Sequence, residues 1–467
     1  MLKNALSVIV KIKDVITCRC YWLPIAVLVI LVLLQIVSLK ADEKEAAPIE
    51  KASKPLSSSL PDPLTLEYAL SLVNENNPVV SLAQNRLFAS QTQTKLLRSD
   101  LGLNLAIKAR ARWIESPEAL RYLGREDHAA KIALNKTLYD FGRTSNKLLA
   151  SNLGEEVSNL QLQNDIQNHR LRVMQAFFDV LLADLIYARD NEAMAMGFIY
   201  YDKTKERASL GQRSALDVLE KDSAYQATRQ ARYESDSNRR LARNNLSLLL
   251  NRPDKLPSKL TMPSLEYHKL NLKEVDELQA AALKNNLELK ILNARKNSLM
   301  HELKSIRSQR SPTISAEVES GIYQREIGTN DTWRAGLTFE MPLYQGGKVT
   351  AQAALKKNEI EQLQIIMYQK ELEIKQNTLT HWLALTNLQV KTLAANTLYD
   401  YREYYLDRAR ALYEMEVKSD LGDSMVELSA ASLKVAEAQF ETAMRWEILA
   451  QLTQMSVTEM SVDSLKQ

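Results

Sequence analysis

Two six-residue elements of this chain match one another: Leu138-Tyr139-Asp140-Phe141-Gly142-Arg143 and Leu343-Tyr344-Gln345-Gly346-Gly347-Lys348. Each follows two short segments in which apolar and polar residues alternate. Each opens a helical pattern far longer than an ordinary globular helix. A chain that says this twice folds as two copies of one unit, and helices of such length exceed what one core covers.

The alternating segments read as strands. In residues 103–114, Leu103, Leu105, Ile107, Ala109, Ala111 and Trp113 share one face, and Asn104, Lys108, Arg110 and Arg112 the other. Residues 130–140 set Ile132, Leu134 and Leu138 together, with Lys136 as an exception. In the second copy, residues 313–323 alternate Ile314, Ala316, Val318 and Ile322 with Thr313, Ser315, Glu317 and Glu319. Residues 332–342 alternate Trp333, Ala335, Leu337, Phe339 and Met341 with Arg334, Gly336, Thr338 and Glu340. This is period two, with one apolar and one charged face. Pro312 and Pro342 stand at strand ends, where a missing N–H is tolerated. Strands of about 9–11 residues cross a bilayer when tilted. A soluble hairpin laid on a helical core would alternate in the same way. Full charges on the polar face, and Trp113, Tyr139, Tyr323, Trp333 and Tyr344 at the strand ends, favour the membrane. Four strands cannot close a barrel, and an open edge does not survive in lipid, so the chain must borrow strands from copies of itself.

Helices surround each strand pair. Thr65 caps a helix with Leu66, Ala69, Leu70 and Val73 on one face; Asn76-Asn77-Pro78 breaks it, and a second helix runs to about residue 99. The later copy repeats this with Val275, Leu278 and Ala282, then Asn285-Asn286, then a helix to about residue 308. A long helix follows over residues 142–208, without Pro and with Gly154 and Gly197 inside it. At about 1.5 Å per residue it spans roughly 100 Å. Leu171, Met174, Phe178, Leu181, Leu185, Ala188, Ala195 and Ile199 form a coiled-coil seam in it, interrupted by Glu192. A turn near Gly211 leads into a returning helix over residues 215–251. Residues 348–416 and 423–454 repeat the pair. The first structural repeat is thus residues 64–256, the linker 257–272, the second repeat 273–455 and the tail 456–467.

Composition agrees. Only 12 Gly and 12 Pro occur in 467 residues, which suits long helices and not a loop-rich enzyme. A formal net charge of +3 without a dense basic run argues against nucleic acid. Lys3, Lys11, Lys13 and Arg19 precede an apolar run over residues 21–37, and Leu39-Lys40-Ala41 forms a cleavage site before Asp42 and Glu43. Residues 1–41 read as a signal peptide, with an uncleaved anchor as the alternative, and residues 42–63 as a flexible N-terminal segment. Cys18 and Cys20 precede the apolar run, so a cleaved chain carries no disulfide. The five His (His128, His169, His268, His301, His381) are scattered without metal-ligand spacing. No phosphate loop or nucleophile elbow occurs, so neither enzyme, cofactor nor metal is expected.

The two Leu-Tyr-x-x-Gly elements, each leaving the second strand of a pair, resemble the TolC-like outer-membrane efflux protein family from about Leu64 to Leu452. Tyr139, Gly142, Tyr344 and Gly347 mark the strand-to-helix junctions. The resemblance implies a mainly α fold with a transmembrane β part. A homotrimer would share a twelve-stranded β-barrel in outer-membrane lipid, four strands per protomer, and its helices would build a periplasmic α-barrel. It implies a Gram-negative outer-membrane location and a passive exit duct for tripartite efflux or type I secretion. A periplasmic adaptor (membrane fusion) protein and an inner-membrane pump or ABC transporter would be partners. The other reading is an inner-membrane-anchored periplasmic coiled-coil scaffold or adaptor.

Gly211, Ser214 and Asp217 match the family's helix turn. Tyr139 and Tyr344, Gly211 and Glu416, and Ser214 and Ser419 all stand at one constant separation, which lays Glu416 on the Gly position and Gly422 on the Asp position. The resemblance implies a periplasmic gate of Asp217, Tyr413 and Lys418, where Lys offers no bidentate pairing. The bland alternative is a set of surface helix caps. Glu416, Asp420 and Asp423 would line an acidic constriction in a trimer, or are solvated turn carboxylates.

Overall fold

Each half of the chain runs helix, helix, strand, strand, long helix and returning helix in the computed structural model. The structure describes residues 60–74, 77–115, 118, 124–253, 259–267, 270–324, 331–415, 417 and 420–462. All fall within one of the chain's two units, Pro55–Gln467. The expected signal peptide and most of the flexible segment lie outside the described residues.

The first half comprises α1 (Leu66–Ser71), α2 (Pro78–Ser99), β1 (Asn104–Arg110), β2 (Ala129–Tyr139), α3 (Arg143–Ser209) and α4 (Ala215–Leu249). After the short strand β3 (Asn271–Leu272), the second half supplies α5 (Val275–Asn285), α6 (Leu287–Arg307), β4 (Thr313–Tyr323), β5 (Trp333–Glu340), α7 (Lys348–Glu414) and α8 (Leu421–Thr453). The chain then adds α9 (Val457–Met460) and β6 (Ser461–Val462). The helices α3 and α7 have 67 residues each, or about 100 Å at 1.5 Å per residue. Among the described residues no helix is long and apolar enough to cross a membrane.

The duplication reaches individual hydrogen bonds. Asn77 caps α2 by accepting the Val79 N–H at 2.9 Å and donates Nδ2 to the Leu249 carbonyl at 2.7 Å. Asn286 caps α6 by accepting the Glu288 N–H at 2.9 Å and donates Nδ2 to the Leu452 carbonyl at 3.2 Å. Each buried amide satisfies an orphan donor at one helix start and an orphan acceptor at the end of that repeat's returning helix. The glycines of the repeated element have an equally local cause. Gly142 (φ 87°) and Gly347 (φ 79°) begin the long helices in the left-handed region that favours glycine. Gly346 precedes Gly347 at φ 57°, whereas Phe141 holds the same place at φ 52°, at a cost of about 1 kcal/mol. Its ring meets Tyr139 edge-on at 4.7 Å.

Four strands form one antiparallel sheet in the order β1-β2-β4-β5. The two repeats join at β2–β4, with Leu134 opposite Val318 and Ala133 opposite Glu319. The strand β1 stops at Arg110, short of the alternation that runs on to Trp113, because the Arg112 N–H turns to His128 Nδ1 at 3.3 Å. Pairing resumes only as an isolated bridge between Trp113 and Glu126.

The main core lies between α1, α3, α4 and α8, around Phe177, Phe178, Leu246 and Phe440. Phe178 and Phe440 stack at 4.4 Å with their planes 1° apart, tying one repeat to the other. A second cluster joins Leu278, Leu385, Trp446, Leu449 and Met460. That cluster corrects the reading of residues 456–467 as a tail. Ser456 and Glu459 form a capping box on α9, Met460 is fully buried, and β6 pairs with β3 of the linker. Residues 463–467 lie outside the described residues.

Two stability measurements test this packing. Asn77→Ala and Asn286→Ala should each cost about 1–3 kcal/mol, since each removes a cap and strands a carbonyl. Denaturant unfolding in detergent checks whether the two losses match, as duplication requires. Burial pushes the His169 imidazole below its ordinary range, against the pull of the Leu249 carbonyl. The unfolded chain therefore takes up a proton near pH 6.5 that the folded chain refuses, and stability falls as pH drops through that value. In melting curves between pH 7.5 and 5.5, His169→Leu should lose less stability than wild type.

Candidate functional site: the amphiphilic sheet and the helix turns

The register fixes the two faces of the sheet. On one, Ile107 lies opposite Ile132, Leu134 opposite Val318, and Ala316 opposite Leu337. Ile107, Ile322, Trp333, Leu337 and Phe339 on this face are each more than 60% exposed. A contiguous bare apolar face marks a surface made to be covered. Lys136, the exception in the alternation, pairs with Ala316 just before a bulge at Thr137/Tyr139.

The opposite face is ionic. Glu319 is buried, and its carboxylate accepts Lys131 Nζ at 2.6 Å from β2 and Arg334 Nε at 2.7 Å from β5. Arg110 and Arg112 both pair with Asp127 beyond the end of β1. Lys108 stands opposite Lys131, like charge facing like. The outer strands β1 and β5 each pair on one side only, so the sheet carries two free edges. Tyr139 ends β2 and Tyr344 follows β5, both exposed beside the junction glycines Gly142 and Gly347.

At the far end of the long helices the two turns differ. In the first, Gly211 (φ 76°) donates its N–H to the Ala208 carbonyl and reverses the chain. Ser214 and Asp217 then form a capping box: the Ser214 N–H reaches Asp217 Oδ2 at 3.0 Å and the Asp217 N–H reaches Ser214 Oγ at 3.2 Å. Hydrogen bonds from the Ser214 backbone and hydroxyl hold the Asp217 carboxyl below its ordinary range, with Arg213 and Lys221 adding to the effect. Asp217 is thus occupied by its own helix. Tyr413 is half-exposed at the end of α7, and no hydrogen bond joins it to Asp217. Glu416, Lys418 and Ser419 lie outside the described residues.

The second turn is one residue longer. Its helix begins after Asp420, so Asp423 takes the third helical position that Asp217 holds in α4, and Gly422 precedes it. The glycine has a packing reason, since a Cβ at Gly422 would overlap the Met196 thioether of α3. Asp423 does not cap its own helix. Its Oδ2 accepts the Tyr200 hydroxyl of α3 at 2.5 Å, while Asp420 Oδ2 accepts the Tyr405 hydroxyl of α7 at 3.0 Å. Burial, then the bond to Asp423 and the charges of Asp423 and Asp420, push the Tyr200 hydroxyl up to about 12. About two turns along, the Ser429 hydroxyl donates to Glu192 Oε2 at 2.6 Å. Glu192 therefore does not break the seam but belongs to it. Glu192, Met196 and Tyr200 face α8 at four-residue spacing, and Ala195 and Ile199, which the apolar spacing selects, stay exposed.

Among the described residues no group of His, Cys, Asp and Glu could hold a metal ion. No protein-family model matches the chain. The outer membrane efflux protein BepC of Brucella suis biovar 1 (strain 1330) is 23% identical over 269 residues, 57% of this chain and 58% of that protein. The match thus spans less than two thirds of that relative's length. The crystal structure of the Campylobacter jejuni CmeC outer membrane channel shares 13% identity with a TM-score of 0.69, over 84% of this chain and 88% of that one. The outer membrane protein VceC of Vibrio cholerae shares 13% identity with a TM-score of 0.65, over 83% of this chain and 94% of that one. The chain therefore has the fold of the TolC-like outer-membrane efflux proteins, the family that its repeated turns resemble.

Proposed function

We propose that three copies of this chain form an outer-membrane exit duct, a passive conduit for a tripartite efflux or type I secretion system, gated at its periplasmic helical end. One observation carries this reading: a sheet with a bare apolar face, a charged opposite face and two free edges. Lipid can cover the first, a water-filled lumen suits the second, and only closure with β1 and β5 of sister copies satisfies the third. Charges on the covered face would be costly, and that face has none in β4 or β5. The long helices α3, α4, α7 and α8 would then continue the lumen into the periplasm. A periplasmic adaptor would dock on them, and an inner-membrane pump or ABC transporter would supply the energy. Asp217, Tyr413 and Lys418 are the candidates that family resemblance offers for holding the closed end. A periplasmic scaffold would leave the amphiphilic sheet without a task.

The two faces make opposite predictions. Leu337→Arg places a guanidinium in lipid, at a cost of about 2–4 kcal/mol near the bilayer midplane, and should deplete the protein from the outer-membrane fraction. Thr338→Arg, one residue away, faces the lumen and should be recovered at wild-type levels. Equal recovery of both variants counts against a membrane-embedded barrel. Purified wild-type protein should run as a trimer by mass in detergent and form conducting channels in planar bilayers. A monomer that does not conduct would remove the duct reading altogether.

A further inference from the structure

We infer that Lys108 of one protomer pairs with Glu340 of the next, and that this ion pair sets the register in which β1 and β5 close the barrel. This rests on the reading of the chain as a trimeric duct. Each edge strand carries two charged side chains on its wet face: Lys108 and Arg110 on β1, Arg334 and Glu340 on β5. On each strand one of the two is engaged within the protomer, Arg110 by Asp127 and Arg334 by Glu319. The other is free. Among the described residues neither Lys108 nor Glu340 pairs with another side chain, and both are exposed. One edge thus offers an unused cation and the other an unused anion. Lys108 finds no relief in its own sheet, because it lies opposite Lys131, and Glu319 already holds that ammonium at 2.6 Å.

Backbone chemistry restricts how the two edges can meet. The Asp127 N–H donates to the Arg112 carbonyl, so along β1 the even-numbered residues turn their backbone groups to β2 and the odd-numbered ones to the free edge. The Gly321 N–H donates to the Thr332 carbonyl, so the even-numbered residues of β5 turn to β4 in the same way. All pairings in the sheet are antiparallel, and β5 therefore meets a sister β1 antiparallel as well. Odd residues must face odd, and the permitted registers differ by two residues. With Lys108 opposite Gly336 the strands lie flush, but Arg110 then faces Arg334, like charge against like. With Lys108 opposite Thr338, Glu340 faces Ala106. With Lys108 opposite Glu340, opposite charges meet, Arg110 faces Thr338, and on the apolar side Ile107 meets Met341 and Ala109 meets Phe339. One step further presents Glu340 to Arg110, which Asp127 already holds, and sets Lys108 beyond the end of β5. The favoured register is staggered, as closing a tilted sheet into a barrel requires.

Disulfide trapping in isolated outer membranes tests the register. Lys108→Cys with Glu340→Cys occupies a pair without backbone bonds, where side chains approach most closely, so oxidation should link the protomers on non-reducing gels. Lys108→Cys with Gly336→Cys should stay unlinked. Charge exchange tests the pair itself. Lys108→Glu and Glu340→Lys each set like charges together at every junction of the trimer, and each should speed its dissociation in detergent about tenfold. Both stand on the wet face, so, like Thr338→Arg, they should still reach the outer membrane. The double variant Lys108→Glu/Glu340→Lys restores the pair in reverse and should dissociate at the wild-type rate. Linkage through Gly336→Cys, no linkage through Glu340→Cys, or a double variant that dissociates as fast as the single ones would overturn this register and leave the duct standing. A wild-type chain that is monomeric in detergent would overturn the duct itself and the pair with it.

Discussion

Backbone hydrogen bonding governs this molecule. A strand edge that faces hydrocarbon leaves each N–H and C=O without water, at several kcal/mol per group. The sheet of this chain has two such edges and one apolar face, and four strands are too few to curl back on themselves. Assembly is therefore not an addition to the fold. It is the condition under which the strands can occupy lipid at all. The ionic face follows from the same constraint. Lys131, Glu319 and Arg334 satisfy one another across three strands, so the charge on the wet side is already neutralised in part within the protomer.

Duplication supplies the material, and its two halves differ where their surroundings differ. Asn77 and Asn286 perform the same double task, and Gly142 and Gly347 make the same reversal, because those sites answer to the repeat's own backbone. The helix turns answer to neighbours. The first turn is closed by its own Ser214–Asp217 box. The second carries an extra residue that frees Asp423 to reach across to Tyr200 and sets Gly422 against Met196. One copy stabilises itself and the other binds its sibling.

The fold was legible wherever a periodic pattern met a local backbone demand. Alternation revealed all four strands, and the Leu-Tyr-x-x-Gly elements marked where the chain leaves β2 and β5 for α3 and α7. Reading failed where a tertiary partner made the decision. The alternation of β1 runs past Arg110, yet a His128 ring nitrogen takes the next N–H and ends the ladder. Residues 456–462 lack a long period, yet Met460 is fully buried in one cluster with Trp446 and Leu449. The longer second turn was hidden because Ser419 keeps the common spacing while the helix behind it starts one residue late. Glu192 resembled a flaw in an apolar seam because hydrophobic spacing cannot announce a serine on another helix.

The seam between α3 and α8 joins the two repeats with two chemistries. Near the second turn it is polar, with Tyr200 donating to Asp423 and Ser429 to Glu192. Farther along it is apolar, with Phe178 stacked on Phe440 among buried residues of both helices. Each buried apolar side chain adds about 1.5–3 kcal/mol, so the aromatic stretch supplies most of the adhesion. The hydroxyl–carboxylate bonds supply register, because each donor meets its acceptor only where the two helices are correctly aligned. A glutamate in an apolar seam, a glycine at a helix start and a tyrosine facing an acid are therefore the means by which the second repeat is set against the first.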